Sequence, residues 1–334
     1  MKTMTNTPNE MPDNETDQPL VTFALFAYNQ EEFIREAVEG AFAQTYEPLE
    51  IILSDDCSSD HTYEILQELA AAYEGPHKTV VMQSKQNRGT LGHILDVVNS
   101  SYGEFFIVAA GDDISLPERT EKLVSILKDS EADIISSTSD VIDKNGHSIH
   151  ERFEHKFQEY GTTFGFKVKR IEGATAGYKR SFLSELPNPQ NSILVEDAAF
   201  EIISHFMHKS VIHTNTSMVK YRHHNQNVSV RNVSDLRQYE LNYAKNRKEY
   251  AKAAIFALGV LREERGLNDE VKNLEKYSSF LLKASNWRNM NFIDKISMIT
   301  YAPNRSLLNW YLPRAIIPWS LFIPLRRIYI KLRK

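Results

Sequence analysis

A single cysteine, Cys57, stands among 334 residues. That excludes an internal disulfide and a zinc centre built on cysteines, and it is what a reducing cytoplasm would give. No apolar run reaches the roughly 18 to 20 residues that a bilayer-spanning helix needs. A basic surplus is missing too. The 39 Lys and Arg are outnumbered by 44 Asp and Glu, for a net charge of −5, so nothing points to a nucleic-acid partner. Internal repeats are absent. Residues 1–18 have methionine as their only apolar type, which is too little to bury, and they lack the apolar stretch of a signal peptide. We expect a disordered tail there.

What is present is the composition of a soluble globular protein, 42% hydrophobic and 25% charged, in a length that suits one large domain with an appendage or two domains. Four apolar runs predict strands: "LVTFALFAY" (20–28), "LEIILSDD" (49–56), "HKTVVMQS" (77–84) and "EFFIVAA" (104–110). A helical pattern follows each. In the first, Phe33, Ala37 and Gly40 or Ala41 form a stripe, and Asn29 is placed to cap it. In the fourth, Ser115 with Glu118 three residues on has the capping-box spacing. Four strand–helix alternations predict an α/β fold, doubly wound around a mostly parallel sheet. From about residue 132 the pattern loosens into a strand over "DIISSTSDVID", a turn at Asn145-Gly146, and small residues in "VKRIEGATAGYKRSFL". An amphipathic helix follows behind Glu196 and Asp197, then a short strand before "YRHHNQNVSV". After about 235 the composition shifts to two helices joined near Gly266. We therefore divide the chain into a tail (1–18), a catalytic domain (19–235) and a helical C-terminal region (236–334).

Two of the strands run straight into paired carboxylates, Asp55-Asp56 and Asp112-Asp113. Both pairs should lie at the carboxyl edge of one sheet, where open α/β sheets place ligands. Gly-Asp-Asp is also good turn chemistry, and one aspartate of 55–56 can cap a helix while the other binds. The second reading is a cation site, because Mg²⁺ and Mn²⁺ prefer carboxylate oxygens and phosphates often fill their remaining positions.

The stretch "FAYNQEEFIREAVEGAFAQTYEPLEIILSDDCSSDHT", with Tyr28-Asn29, Gln44-Thr45-Tyr46 and the run Asp55 to Thr62, resembles the opening of inverting family 2 glycosyltransferases of the GT-A fold. "NRG" (87–89), "GEFFIVAAGDDISLPERTEKLV", "VEDAAFE" and "YRHHNQNVS" follow in the family's order, so the resemblance spans about residues 19–232. Phe26, Cys57 and Ala110 stand where relatives usually carry Pro, Gly and a first Asp, and "TLGHIL" lacks an Arg often found there. The resemblance implies a Rossmann-like nucleotide-binding half, an acceptor half and a helical C-terminal extension. It implies a nucleotide-sugar donor, UDP-linked by the family's habit, held by Ala27, Tyr28, Asn29, Asp56, Asn87, Gly89, Asp112 and Asp113. In this reading Tyr28 stacks on the base and Asp56 accepts from uracil N3. Asp113 is the chief ligand of a divalent cation, Mn²⁺ or Mg²⁺; Asp112 binds the ribose or supports the ion; His224 is a further ligand. Asp197 is the general base, with Glu196 in reserve. The plainer readings are a strand-end core aromatic for Tyr28 and helix N-terminal charge for Glu196 and Asp197.

The implied function is transfer of a sugar to a glycan or lipid-linked glycan hydroxyl in lipopolysaccharide, capsule or other surface-polysaccharide synthesis. A sugar-nucleotide nucleotidyltransferase is the alternative, but "YNQEEF" stands where that class has a Gly-rich phosphate loop. A non-catalytic sugar-binding protein on the same fold is the third reading. From Pro313 onward six basic residues interleave with Trp319, Phe322 and Tyr329, and Pro318 and Pro324 interrupt any single helix. Such a segment suits an anionic membrane surface, packing on the helices, or a homodimer contact. The expected location is cytoplasmic, peripheral at the inner face of the cytoplasmic membrane.

Overall fold

The apolar runs become the centre of a sheet. The computed structural model describes residues 18–149, 160–224, 236–266, 268–303 and 311. The expected N-terminal tail up to residue 17 and the basic segment from Pro313 onward lie outside the described residues. Strands β1 (Val21–Ala27), β2 (Leu49–Asp55), β3 (Lys78–Gln83) and β4 (Phe105–Ala110) pair in parallel in the order 3-2-1-4. Helices α1 (Ile34–Phe42), α2 (Thr62–Ala71) and α3 (Gly89–Val98) connect them. Both faces of β1 are covered, so its residues are apolar without alternation. Phe23 and Leu25 pack with Ile34, Val38 and Leu66 on the α1–α2 face, whereas Ala24 packs with Leu91 and Ile94 of α3 on the other.

The second half interleaves directions. β5 (Ile114–Ser115), α4 (Arg119–Ser130) and β6 (Ile134–Ile142) precede a separate hairpin of β7 (Tyr160–Thr163) and β8 (Phe166–Lys169). β9 (Gly177–Lys179), α5 (Arg180–Ser184), α6 (Glu196–Phe206) and β10 (Val211–Arg222) follow. The eight-stranded sheet reads β3-β2-β1-β4-β9-β6-β10-β5, with β9 antiparallel to both β4 and β6. Long helices α7 (Leu236–Arg265) and α8 (Asp269–Ser285) follow, and then α9 (Phe292–Thr300). Gly266 takes φ +66° at the join, and the Asn268 side chain caps α8 by accepting from Val271 N. Ala254 and Leu261 of α7 and Leu274 and Leu281 of α8 share one apolar core with α3, α5 and α6. Among the described residues no helix is long and apolar enough to cross a membrane.

Two capping expectations are corrected. Asn29 does not cap α1. It sits at φ +51°, its Oδ1 accepts from Ser59 N at 2.8 Å, and its own N–H donates to Ser58 Oγ. The chain turns through residues 30–33 before the regular helix begins, which spends the cap on tying two loops together. Ser115 lies in β5, and Pro117 separates it from α4, whose N-cap is Glu118 without a side-chain bond. Its hydroxyl instead accepts from Arg119 Nη1 at 2.8 Å.

Candidate active site

Parallel register brings the strand ends level. Ala27 lies opposite Asp55, and Phe26 opposite Ala110. The three chains leave the sheet together, with Asp56 N donating to Ala27 O and Gly111 N to Phe26 O. Tyr28, 47% exposed, opens this edge, while Ala27 is buried.

Asp56 follows directly on β2 and turns to the neighbouring loop. It is 3% exposed, and its two oxygens accept from Arg88 N at 2.8 Å and Gly89 N at 2.9 Å. The carboxylate locks the Asn87–Gly89 turn onto the sheet. Burial raises its pKa, and those N–H groups pull it back. Asn87 is exposed, with Oδ1 accepting from Gly89 N at 3.2 Å. Gly89 has φ +68°, and a Cβ there would meet Ser192 Oγ at 2.4 Å. The turn therefore needs glycine twice over, for its backbone angle and for the approach of the 192–193 main chain.

Asp112 and Asp113 part company. Asp113 is 4% exposed and faces inward: Oδ1 accepts from Arg222 N at 2.8 Å, and Oδ2 has no hydrogen-bond partner among the described residues. Burial first, then the charge of Asp112, holds its carboxyl well above the usual range. Asp112 points to the edge, its Oδ2 3.0 Å from His224 Nε2. Asp113 thus turns inward from the edge with one oxygen still unpartnered among the described residues. The carboxylate that stands with the imidazole is Asp112, because the buried arginines draw its neighbour in. Arg222 donates through Nε to Asp112 O at 2.9 Å, through Nη1 to Lys144 O and through Nη2 to Glu36 Oε2. Phe33 underlies both, with its ring 4.7 Å from the His224 ring and 5.1 Å from the Arg222 guanidinium. Phe33, expected only in the apolar stripe of the first helix, and Arg222, whose sequence context "YRHH" gives it no role by itself, thus both support the Asp112–His224 pair.

Among the described residues no three His, Cys, Asp or Glu side chains cluster as a closed metal site. An Asp112 oxygen beside a His224 nitrogen is a pair of possible metal donors. It fits a divalent cation whose other positions are filled by phosphate oxygens.

Glu196 and Asp197 open α6. The turn Gly173–Thr175 brings them to the end of β4: Val108 N donates to Ala176 O, and a Cβ on Gly173 would lie 2.2 Å from Glu196 Oε1. Burial, then the charge of Asp197, pushes Glu196 up to about 8. Burial raises Asp197 as well, opposed by the Ala198 N–H and the charge of Arg170. One turn further, Glu201 is also buried and raised to about 7, although Arg170 Nη1 and Ile171 N donate to it.

A raised carboxyl binds its proton more tightly folded than unfolded. Its contribution is therefore complete below its ordinary pKa near 4.5 and is lost as pH climbs through about 8. We expect wild-type thermal stability to fall between pH 5 and pH 8.5 by an amount on the order of a few kcal/mol. Glu196→Gln should show a shallower fall. Parallel Tm–pH curves for the two proteins would remove Glu196 from this account.

Relatives bear on what this edge is for. Residues 22–186 match the family model for glycosyl transferase family 2. That segment belongs to the family. Glu196, Asp197 and His224 lie beyond the matched segment. The chain is 33% identical over 110 residues to the putative glycosyltransferase EpsE of Bacillus subtilis, covering 33% of this chain and 39% of EpsE. It spans less than half the length of the curated relatives it matches. Its fold resembles the mannosyltransferase PcManGT of Pyrobaculum calidifontis, solved with GDP-Man and Mn²⁺, at TM-score 0.53 and 15% identity over 90% of this chain and 87% of that one. S. aureus TarS, solved with UDP-GlcNAc, gives TM-score 0.50 at 14% identity, over 80% and 72%. The GT-A architecture and the mostly parallel curled sheet are common to all three.

Proposed function

We propose that this chain is a metal-dependent inverting glycosyltransferase. It takes a sugar from a nucleotide-sugar donor to a hydroxyl of a glycan or lipid-linked glycan, in surface-polysaccharide synthesis. The observation that carries this reading is the pairing of Asp112 with His224 at the sheet edge that also receives Glu196 and Asp197. Residues 19–235 form the catalytic domain, and the helices after 235 extend it. The donor lies along Ala27–Asn29 and Asn87–Gly89. Asp112 and His224 hold the divalent cation, with Asp113 behind Asp112. The cation supplies charge stabilisation for the departing diphosphate. Asp197 takes the proton of the acceptor hydroxyl as that oxygen attacks the anomeric carbon. No second acid is needed, because the leaving group is already an anion. PcManGT and TarS carry GDP- and UDP-sugars respectively, and UDP is our first choice here.

Incubation with a panel of nucleotide sugars and Mn²⁺ tests the reading. Release of nucleoside diphosphate, abolished by EDTA and restored by Mn²⁺, supports it. Pyrophosphate would indicate a nucleotidyltransferase, and silence across the panel a binding protein. Within the site, Asp112→Asn is expected to weaken apparent Mn²⁺ affinity by at least about tenfold. Asp113→Asn, which keeps an oxygen for Arg222 N–H, should change that affinity little. A Mn²⁺ titration of activity separates them, and the reverse order would restore Asp113 as the ligand.

The basic tail would bring this site to a lipid-linked acceptor at the inner face of the cytoplasmic membrane. Salt-sensitive pelleting with anionic liposomes, lost on deletion of 314–334, is the expected result. Equal pelleting of the truncated chain would end that reading.

A further inference from the structure

The loop leading into Glu196 and Asp197 is gripped from two sides. On one side Ile193 O accepts from Leu91 N at 3.1 Å, and Ser192 Oγ and Ile193 N press on the face of Gly89. On the other side stands α7. Lys252 Nζ donates to Ser192 O at 2.8 Å, Glu249 Oε2 accepts from Leu194 N at 3.3 Å, and the two side chains pair at 2.8 Å. Glu249 is 8% exposed, on a helix whose neighbouring buried residues are Ala251, Ala253 and Ala254. A carboxylate taken this far out of water requires partners, and those it has are one lysine and the main chain of the loop. Leu194 is two residues from Glu196, and Gly89 closes the turn that Asp56 locks to the sheet. The same three residues, 192–194, thus touch the donor-side turn, the approach to the base and the C-terminal helix.

We infer that Glu249 and Lys252 of α7 are positioning residues: through the main chain of residues 192–194 they fix the Asn87–Gly89 turn and the Glu196–Asp197 pair relative to each other. The kinetic consequence rests on the transferase reading above; the mechanical claim does not. The C-terminal helices would then be part of the catalytic unit, since a displacement of about 1 Å at a reacting group can cost on the order of 10²-fold in rate.

Two measurements on the full chain test this. Glu249→Ala is expected to lower kcat by about tenfold or more with donor KM changed less than about twofold. Glu249→Gln keeps an oxygen for Leu194 N–H and should recover most of the loss. By hydrogen–deuterium exchange, the amides of 192–198 and of 89–91 should exchange faster in Glu249→Ala than in wild type. Lys252→Met, which removes the donor to Ser192 O, is the second variant should Glu249→Ala fail to fold. Unchanged kcat with unchanged exchange overturns the inference. So does faster exchange confined to α7, or an equal loss in the Ala and Gln variants. If wild type releases nucleotide from no donor, the transferase reading fails, and the exchange experiment alone decides this one.

Discussion

Asp197→Asn is expected to bind donor as wild type does, within about twofold, while kcat falls on the order of 10² to 10⁴-fold. The reason lies in how the two carboxyls at the start of α6 differ. Both are pushed up by burial. Asp197 has compensation: its Oδ1 accepts from Ala198 N at 2.7 Å, and Arg170 contributes a nearby positive charge. Glu196 is offset only by its own backbone N–H, with no cation opposing the rise; it lies against Gly173 and feels the charge of Asp197. Of the two, Glu196 is pushed up without an opposing cation and Asp197 with one, the kind of difference by which environment sorts paired carboxyls into acid and base. A base acts on the acceptor in the transition state, so its loss should appear in kcat and not in donor affinity. A collapse of donor affinity would make Asp197 a donor-site residue. A larger loss in Glu196→Gln would reverse the assignment within the pair.

Arg222→Met should destabilise the fold by about 3–5 kcal/mol, read as a lower urea midpoint at constant slope. The Arg222 side chain is 1% exposed, and its three donors serve Asp112 O, Lys144 O and Glu36. Methionine fills the space but leaves two carbonyls without these donors, and Asp113 loses one of the two positive charges, Arg119 and Arg222, that face it. The Glu36 contact contributes least, because that carboxylate is 51% exposed. Arg222→Lys should recover only part of the loss, since an ammonium cannot reproduce a planar fork aimed at three acceptors. A loss below about 1 kcal/mol would show that the surrounding segments hold one another without it.

Much of this architecture was legible in the sequence for a plain reason. β1, β2 and β4 are buried on both faces, so they had to be mostly apolar, and the stripe of α1 had to repeat at helical spacing. β5 and β9 escaped because two and three residues are too few to show a period. The β7–β8 hairpin escaped because its strands are short and half exposed. Asn29 and Ser115 were read as caps because local spacing cannot tell a cap from a tie between distant loops. The two aspartates after β4 show the limit most clearly. Which of them faces inward is decided by Arg222, 109 residues beyond Asp113. The identity of both was plain from the chain; their directions were set by a partner that no local window contains.

The position of β9 also governs the order in which the sheet can be assembled. β4 is the outer strand of the parallel set until residues 177–179 arrive to pair with it, and two of these, Gly177 and Tyr178, must also meet β6. A chain emerging from the ribosome completes the 3-2-1-4 set some 70 residues before that cover is synthesised, at roughly 5–20 residues per second. For those seconds the most apolar strand offers a bare row of N–H and C=O groups, the template from which edge-to-edge aggregation starts. The sheet can be finished only once the segment that delivers the Gly173 turn has been made, so closing the vulnerable edge and setting the turn that Glu196 packs against are one event.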